Sequence, residues 1–360
     1  MNKQNTAELR INTLPVPTWR HLKMNGCDLT VSYEESPQPL TLASLQHEGL
    51  LVSQLDTNTT SQDGSLSSFV QQKSNSSFRV VVEEGRNANS PLKLNYFLDA
   101  TNPTVIDDLV VDMEPFSCAT ILQGYRTPIE GKATFHGGNL KAHVGSGASL
   151  TVIQLRFLNE GTTDLGYLDI TVADGGKLEV VQIAIGSAQS YIGTHVELQG
   201  DGAECTVSCM NIVDRQGVTD LNVHIEHRGK RTLSTLVARG ALLDEASKLF
   251  RGTLDFHQGC SQSKGSEDES SLLLSPKVKN RSIPLILCGE ADVEGSHAVS
   301  SGKPDQDSLF YLMCRGIEER KARRMLVEAQ LEPILGRVPD KKIQSEIRRQ
   351  LARRLERDEQ

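Results

Sequence analysis

The feature that most constrains this fold is a long series of short strand-like runs separated by glycine-containing turns. From about residue 78 to residue 259, apolar residues alternate with polar ones or form short continuous runs. In one run Leu221, Val223 and Ile225 fall on one face of a strand, and the polar residues between them fall on the other. A series of this kind is typical of a β-solenoid or a β-sandwich.

The spacing of the glycine turns favours the solenoid. The turns GSGA, GGK and GDGA are followed by similar strands, and Gly147, Gly176 and Gly202 lie 29 and 26 residues apart. This is about the length of one solenoid rung. The series also continues for roughly 200 residues, whereas a single sandwich commonly has about 100. We therefore predict a mainly β chain with a parallel β-helix core over residues 78–305.

The segments that flank this core differ from it in pattern. Residues 1–77 contain Trp19, which we expect to pack on the body, and the run TLASLQHEGLLVSQL, which is consistent with a short helix. The polar run TNTTSQDGSLSSFVQQKSNSS predicts a loop. Because a solenoid must protect its ends, we expect the N-terminal segment and the C-terminal helices to act as caps.

From residue 306 onward the apolar spacing becomes helical. We predict a first helix that Gly316 ends, a second over residues 317–329 and a third after Pro339. The third has apolar residues one turn apart with basic residues between them, namely Ile343, Ile347, Leu351 and Leu355. Residues 306–360 thus form a predicted C-terminal helical domain.

Charge and composition exclude several classes of function. The net charge is −8 and aromatic residues make up 4%, so we predict no nucleic-acid partner. Residues 315–360 carry 13 Lys and Arg against 9 Asp and Glu, which indicates a separate basic module. No run approaches the ~18 apolar residues of a membrane span, and the N-terminus lacks a secretory signal pattern. These features predict a cytoplasmic protein with no membrane partner. The chain has seven cysteines, an odd number, and in this compartment we predict that they are free thiols.

Cys288 and His297 form the sharpest candidate site. Cys288 ends an apolar run, and His297 follows nine residues later, after a polar turn. A turn and a return would let the thiol and the imidazole face each other, and this pair of ligands suits zinc or an iron–sulfur cluster. The alternative is a buried structural cysteine and a hydrogen-bonded histidine.

The other candidate groups are weaker. Cys205 and Cys209 are too far apart along a strand to share one ion, so we interpret them as core thiols. Cys260 fits a plain loop, and the acidic run SEDESS at residues 266–271 fits a solvated loop. The sequence has no phosphate-binding loop, nucleophile elbow, HExxH or CxxC motif.

Several runs together resemble the SufB/SufD family of iron–sulfur cluster assembly proteins. They are TWRHLKMN, GKRTLSTLVARGALLDEASKLFRG, LLLSPKV, PLILC, DVEGSH and SLFYLMCRGIEERKARRMLVEAQLEPIL. The resemblance extends from about residue 140 onward and includes the segment around Trp19. It is closest to the SufD branch in PTWRHLK and LLLS.

The resemblance implies a right-handed parallel β-helix with helical regions at its ends. It implies pairing through the β-helix with a SufB-like subunit or a second copy, docking of a SufC-like ABC ATPase on the C-terminal helices, and a transient, shared iron–sulfur cluster. The positions that the resemblance assigns to ATPase docking are Leu309, Phe310, Tyr311, Arg315, Gly316, Ala322 and Leu326.

The resemblance also gives the candidate pair a role. His297 falls where both branches keep a histidine implicated in cluster assembly, and Cys288 falls where SufB has its cluster-site cysteine. Gly295 replaces a cysteine that is usual in SufD. We therefore expect a SufD-like, non-enzymatic scaffold subunit with Cys288 and His297 as cluster or metal ligands. A β-helix enzyme acting on polysaccharides and a purely structural homodimer are the alternatives.

Overall fold

The computed structural model describes residues 4–18, 20–41, 45, 47–55, 65–127, 133–186 and 188–355, so Trp19 lies outside the described residues. The described chain is mainly β. Its strands, in chain order, are β1 (Gln4–Ile11), β2 (Cys27–Glu34), β3 (Leu51–Gln54), β4 (Ser76–Val82), β5 (Leu92–Phe97), β6 (Thr104–Met113), β7 (Cys118–Arg126), β8 (Thr134–Val144), β9 (Ser149–Leu158), β10 (Thr162–Val172), β11 (Lys177–Gly186), β12 (Gln189–Leu198), β13 (Glu204–Val213), β14 (Val218–His227), β15 (Leu233–Leu242), β16 (Ser247–Phe256), β17 (Ser263–Leu273), β18 (Lys279–Cys288) and β19 (Val293–Gly302).

Successive strands from β4 onward alternate between two sheets. The even-numbered strands β4 to β18 form the first sheet, to which β3 adds at one edge, and the odd-numbered strands β5 to β19 form the second. Each strand from β4 onward is parallel to the strand two places further along the chain, so two strands make one rung of a solenoid of about 8 turns. The prediction of a parallel β-helix is confirmed.

The glycine turns lie at one corner of the solenoid, where Gly175, rather than Gly176, is the corner residue. At this corner, successive rungs turn through a residue with positive φ. The backbone N–H of that residue donates to a carbonyl of the following rung, and the distance is 2.8–2.9 Å for Gly147, Gly175, Gly202 and Arg231. Glycine adopts this conformation most easily, but other residues occupy it where the rung hydrogen bonds hold it in place. The glycines therefore mark only some of the rungs. The corner residues and their φ angles are Gly147 (64°), Gly175 (61°), Gly202 (66°), Arg231 (55°) and Gln262 (64°).

The space between the two sheets is apolar in one part and polar in another. In the apolar part, Val152, Val180, Val207 and Leu236 stack in register along the second sheet. In the polar part, the buried His136 ring lies between two carboxylates, with Nε2 2.8 Å from Asp107 and Nδ1 2.6 Å from Asp164. Buried polar groups are tolerated where they find such partners.

The N-terminal segment lies on the outer face of the first sheet. Strands β1 and β2 form an antiparallel hairpin, and helix α1 (Leu66–Lys73) packs beside it. The aromatic rings of Tyr33, Phe69 and Phe135 contact one another there, with centroids 5.5–6.0 Å apart. The prediction of a loop through the polar run is therefore wrong in part, because Phe69 and Val70 give α1 a buried face.

The short helix expected near residues 41–55 falls partly outside the described residues, and the later half of that run is a strand instead. Residues 51–54 form β3, which pairs antiparallel with β4. Residues 42–44 and 46 lie outside the described residues. Strand β3 covers the first edge of the first sheet, since it adds one antiparallel strand where the parallel series begins.

The three predicted C-terminal helices are present as α2 (Gln306–Cys314), α3 (Glu319–Leu335) and α4 (Lys341–Leu355). Helix α3 runs past the predicted end at residue 329, through Pro333. Buried residues of α3 and α4, among them Val327 and Leu351, pack on the outer face of the second sheet, near Ile153 and Val181. Helices α3 and α4 therefore cover the side of the solenoid, contrary to the expectation that the C-terminal helices cap its end.

As a result, the last rung is open. Strands β18 and β19 are the final strands of their sheets in the described structure, and each pairs with a strand on one side only. The division of the chain at residues 77 and 305 stays a prediction. Among the described residues, no helix combines the length and the apolar character needed to span a bilayer.

A buried ion pair holds the N-terminal hairpin segment to the first sheet. Arg251 makes a two-point contact with Asp220, and its Nε donates to the carbonyl of Met24 at 2.7 Å. Asn12 also donates to Asp220, at 2.7 Å. Removing one partner of a buried pair leaves the other charge without compensation.

We therefore expect Asp220→Ala to lower the free energy of unfolding by about 3–5 kcal/mol, measured by urea denaturation. The control is Asp28→Ala, because Asp28 pairs with Arg10 on the surface and exposed pairs contribute little. Equal effects of the two substitutions would contradict this account of the contact.

Candidate functional site

The inner face of the last rung is the candidate site. Alternate residues of β18 and β19 point into the space between the two sheets. Two contacts between β18 and β19 establish which residues these are. A Cβ built on Gly295 would lie 3.1 Å from Cγ2 of Ile286, and Asn280 Nδ2 donates to Ser301 Oγ at 3.1 Å. Cys288 and His297 have the same parity as these residues and are exposed, because no further rung covers them.

The two predicted ligands share this rung without meeting. The cross-rung contacts place Gly295 opposite Ile286 and Ser301 opposite Asn280, so His297 lies opposite Pro284. Cys288 is four residues further along β18, which corresponds to about 13 Å. The thiol and the imidazole therefore do not face each other within one chain. Their role as cluster or metal ligands stays a prediction.

The environment of Cys288 includes a second thiol. Cys288 stands in register with Phe256 on β16, and Cys260 lies in the turn that follows β16. Burial and the carboxylate of Glu290 raise the pKa of Cys260, and Cys288 is close enough to add to this effect when it is ionised. Cys260 is fully buried, so the turn that we interpreted as a plain loop carries an interior side chain. The thiols of Cys205 and Cys209 are buried in β13, as predicted.

The acidic run at residues 266–271 was wrongly predicted to be a solvated loop. It lies within β17, where strand alternation directs Glu267 and Glu269 into the solenoid and Asp268 outward. Glu267 and Glu269 are only 2% and 1% exposed. Three consecutive acidic residues suggest a surface, but the period-2 pattern of a strand separates them. The run itself gives no signal that Glu267 is interior, because its burial depends on Gly252 of the facing strand.

Glu269 is fully paired inside the solenoid. The buried Lys248 donates from Nζ to Glu269 Oε1 at 2.5 Å and to Ser271 Oγ at 2.8 Å. Ser282 of the last rung donates to the other oxygen of Glu269. This arrangement meets the requirement that a buried charge be paired and hydrogen-bonded.

Glu267 has no such compensation. Neither of its carboxylate oxygens has a hydrogen-bond partner in the described structure. Gly252 makes room for the carboxylate, since a Cβ there would lie 2.4 Å from Oε1. Burial, and then the neighbouring Glu269, raise the pKa of Glu267 to about 8. Glu267 pairs in register with His297, so an uncompensated acid lies one strand spacing, about 4.8 Å, from the exposed histidine.

The residues predicted to dock an ATPase divide between the core and the surface of the helical region. Leu309 and Ala322 are buried and Leu326 is half-buried, whereas Phe310 and Tyr311 are 68% and 56% exposed. Large exposed apolar side chains on adjacent positions are typical of an interaction surface.

Two further contacts define that surface. The Arg315 guanidinium lies 5.1 Å from the centre of the Tyr311 ring and donates to its hydroxyl at 2.9 Å. Gly316, with φ of 82°, ends the segment in the left-handed region. Met313 and Met325 add exposed apolar area that the prediction omitted. Their exposure depends on how α2 and α3 pack together, which helical spacing alone does not give.

Comparison with known families agrees with this geometry. The model for "SUF system FeS cluster assembly, SufBD core domain" matches residues 96–330, well over half of the chain. The chain belongs to the SufBD family. The match covers β6 to β19 and continues into α3, so it includes the open rung. It also confirms the resemblance seen in the sequence.

Curated members of the SufBD family are similar over most of this chain. The iron-sulfur cluster assembly protein SufD of Bacillus subtilis is 24% identical over 72% of this chain and 59% of its own length. A SufBD family protein of Pyrococcus horikoshii is 22% identical over 72% of this chain and 57% of its own. A chloroplastic SufBD family protein of Arabidopsis thaliana is 20% identical over 71% and 48%. The chain thus aligns with about half the length of these relatives.

The raised pKa of Glu267 gives a test of this SufBD site. An acid with a higher pKa in the folded state than in the unfolded state stabilises the fold fully only below its unfolded value of about 4.5. That stability is lost as the pH rises through about 8. Glu267→Gln removes the titration, so between pH 5 and pH 9 the variant is expected to gain up to roughly 4 kcal/mol in unfolding free energy relative to the parent protein.

Urea denaturation at both pH values measures this difference. The matched control is Glu294→Gln, since Glu294 lies on β19 with an exposed side chain. A constant difference between Glu267→Gln and the parent protein at both pH values would contradict the raised pKa.

Proposed function

We propose that this chain is a non-enzymatic scaffold subunit of a SUF-type iron–sulfur cluster assembly complex. The observation that carries the proposal is the match to the SufBD core over residues 96–330, which includes an open rung with Cys288 and His297 exposed on its inner face. The proposal places the assembly in the cytoplasm, where such thiols stay reduced.

The proposed partner at the open rung is a SufB-like subunit or a second copy of this chain. Unpaired strand edges such as those of β18 and β19 readily bind further strands. Cys288 and His297 do not meet within one chain, so each would act together with ligands from the opposing subunit. A complete tetrahedral site needs four ligands, and an interface between two open rungs can provide them.

The cluster under assembly is the cargo of this interface. Thiolate and imidazole are ligands that iron–sulfur clusters use, and Glu267 lies behind His297 in the same register column. A cation held by His297 would also favour the charged form of Glu267, because a nearby positive charge lowers the pKa of a carboxyl group. Binding of a cation at His297 would thus be coupled to the ionisation of the buried Glu267.

The proposed partner of the helical region is a SufC-like ABC ATPase. The exposed side chains of α2 and the turn after it, Phe310, Tyr311, Met313 and Arg315, would bind it. Aromatic residues and arginine dominate the binding energy of many protein interfaces. ATP hydrolysis by that partner would move the helical region and open the interface that holds the cluster.

Anaerobic co-purification with a SufB-like subunit and a SufC-like ATPase tests the cluster site. We expect the double variant Cys288→Ser/His297→Ala to assemble with both partners and to lose at least about tenfold of the bound iron and sulfide, since even indirect changes at metal sites cost that much. The control is Cys118→Ser/His143→Ala, which changes the same residue types far from the last rung. Unchanged iron and sulfide in the first variant would overturn the site assignment.

The docking surface is tested separately by affinity. Phe310→Ala/Tyr311→Ala is expected to weaken ATPase binding at least about 30-fold, as the loss of a hot spot does, measured by isothermal titration calorimetry. Leu233→Ala is the control, because Leu233 is an exposed apolar residue of the solenoid, 45% exposed. Equal affinities of all three proteins would place the ATPase elsewhere. A homodimer that binds neither partner nor iron would instead support a purely structural role.

A further inference from the structure

A second group of metal-binding side chains lies on the outer face of the first sheet, away from the last rung. The strands β10, β12, β14 and β16 stack in register there, so outward residues form rows about 4.8 Å apart. One row contains Asp169, His195 and His224. The next contains Glu226 and Asp255, and His257 follows β16 directly. Three histidines and three carboxylates thus meet on one patch.

The distances within this cluster are short. His195 Nδ1 lies 2.9 Å from Asp169 Oδ1, and His195 Nε2 lies 2.9 Å from Glu226 Oε1. The rings of His195 and His224 have centroids 5.3 Å apart. One ligand atom from each of His195, His224 and Glu226 lies within 4.8 Å of the other two. Only modest side-chain rotation would bring all three onto one ion.

Two imidazole nitrogens in the cluster lack hydrogen bonds. His224 Nε2 is buried without a partner in the described structure, and the Asp255 oxygen near it is 3.6 Å away. His257 Nε2 is buried too, and although it lies 2.9 Å from Glu226 Oε2, it is not aligned for a hydrogen bond. Leaving such atoms unsatisfied is costly, so their convergence on the same carboxylates indicates a missing ligand.

We propose that His195, His224 and Glu226 bind a divalent transition-metal ion, Zn²⁺ or Fe²⁺. Two imidazoles and one carboxylate are a ligand set that both ions accept. Donors about 2.1 Å from a tetrahedral ion are about 3.4 Å apart, and His195 Nε2 and Glu226 Oε1, which are 2.9 Å apart, need only a small movement to reach that separation. Calcium and magnesium prefer sites made of oxygen atoms.

The surrounding groups support this assignment. Asp169 accepts from Nδ1 of His195, which leaves Nε2 to face the ion, as in many metal sites. Arg228 donates to Oε2 of Glu226 at 2.6 Å, so Oε1 remains for the metal. Asp255 lies near both His224 and His257. The competing arrangement without metal is a protonated His195 bridging Asp169 and Glu226.

The site is accessible from solvent. A cleft of about 320 Å³ lies between the first sheet and the N-terminal segment, and His195, His224, Tyr167 and Asn12 line it. An ion and a bound water fit this space. Because the ligands come from β12 and β14 and the cleft borders the hairpin segment, a bound ion would link neighbouring rungs beside that segment. The site does not depend on the proposed function.

The test uses the full chain in the Cys288→Ser/His297→Ala background, so that the last rung cannot bind the ion. After chelation, Zn²⁺ is titrated by calorimetry, Fe²⁺ is titrated without oxygen, and Ca²⁺ serves as the oxygen-preferring ion. We expect one Zn²⁺ or Fe²⁺ per chain and weak Ca²⁺ binding. His224→Ala and Glu226→Gln should each weaken the transition-metal affinity at least about tenfold.

His143→Ala is the matched control, since His143 is an exposed histidine of β8 that bonds Thr171, and its affinity should equal that of the background. Anomalous diffraction at the zinc edge, from crystals of the background protein soaked in Zn²⁺, locates the ion even if a variant fails to fold. A peak between His195, His224 and Glu226 supports the proposal. No peak there, or unchanged affinity in folded His224→Ala and Glu226→Gln, overturns it and leaves the protonated His195 bridge as the structural explanation.

Discussion

The parallel, in-register stacking of rungs is the constraint on which the rest of this structure depends. Each side chain lies about 4.8 Å from the residues at the same position one rung before and after. An apolar residue such as Val180 is therefore buried by Val152 and Val207, its neighbours in the column. The same rule applies to polar groups, so any charge in a column must be paired within that column or with the facing strand. In the described structure the columns of both sheets end at the last rung, where β18 and β19 have no strand beyond them.

Because of this constraint, the fold could be predicted from the sequence, whereas the candidate site could be predicted only in part. Alternating runs and recurring glycine turns were enough to predict a β-helix, because every rung repeats the same local chemistry. The open end was not predicted, since amphipathic helices such as α4 can cover a side or an end equally well. The packing of Leu351 against the apolar residues on the outer face of the second sheet shows that α4 covers the side. Glu267 was missed because its burial depends on the facing Gly252, which lies 15 residues away in the chain.

The two buried glutamates of β17 differ in whether the solenoid provides a partner for their charge. Glu269 meets Lys248 and Ser282, so its charge is neutralised within the fold. Glu267 is two residues away with equal burial and has no described partner. The same strand therefore contains one carboxylate that stabilises the core and one that destabilises it when charged. An uncompensated group of this kind persists most readily where function requires it.

The outer histidine cluster extends the same argument to the opposite surface of the first sheet. Stacking brings His195 and His224 together as automatically as it brings valines together, because register alone sets their spacing. For apolar residues the contact is favourable in itself, whereas two imidazoles and a carboxylate need a proton or a cation between them. Asp169 and Glu226 can hold a proton on His195, but that proton does nothing for Nε2 of His224. A metal ion would contact both imidazoles and the carboxylate at once, whereas a proton on His195 leaves Nε2 of His224 without a partner. This difference is the physical reason for proposing a bound metal ion at the cluster.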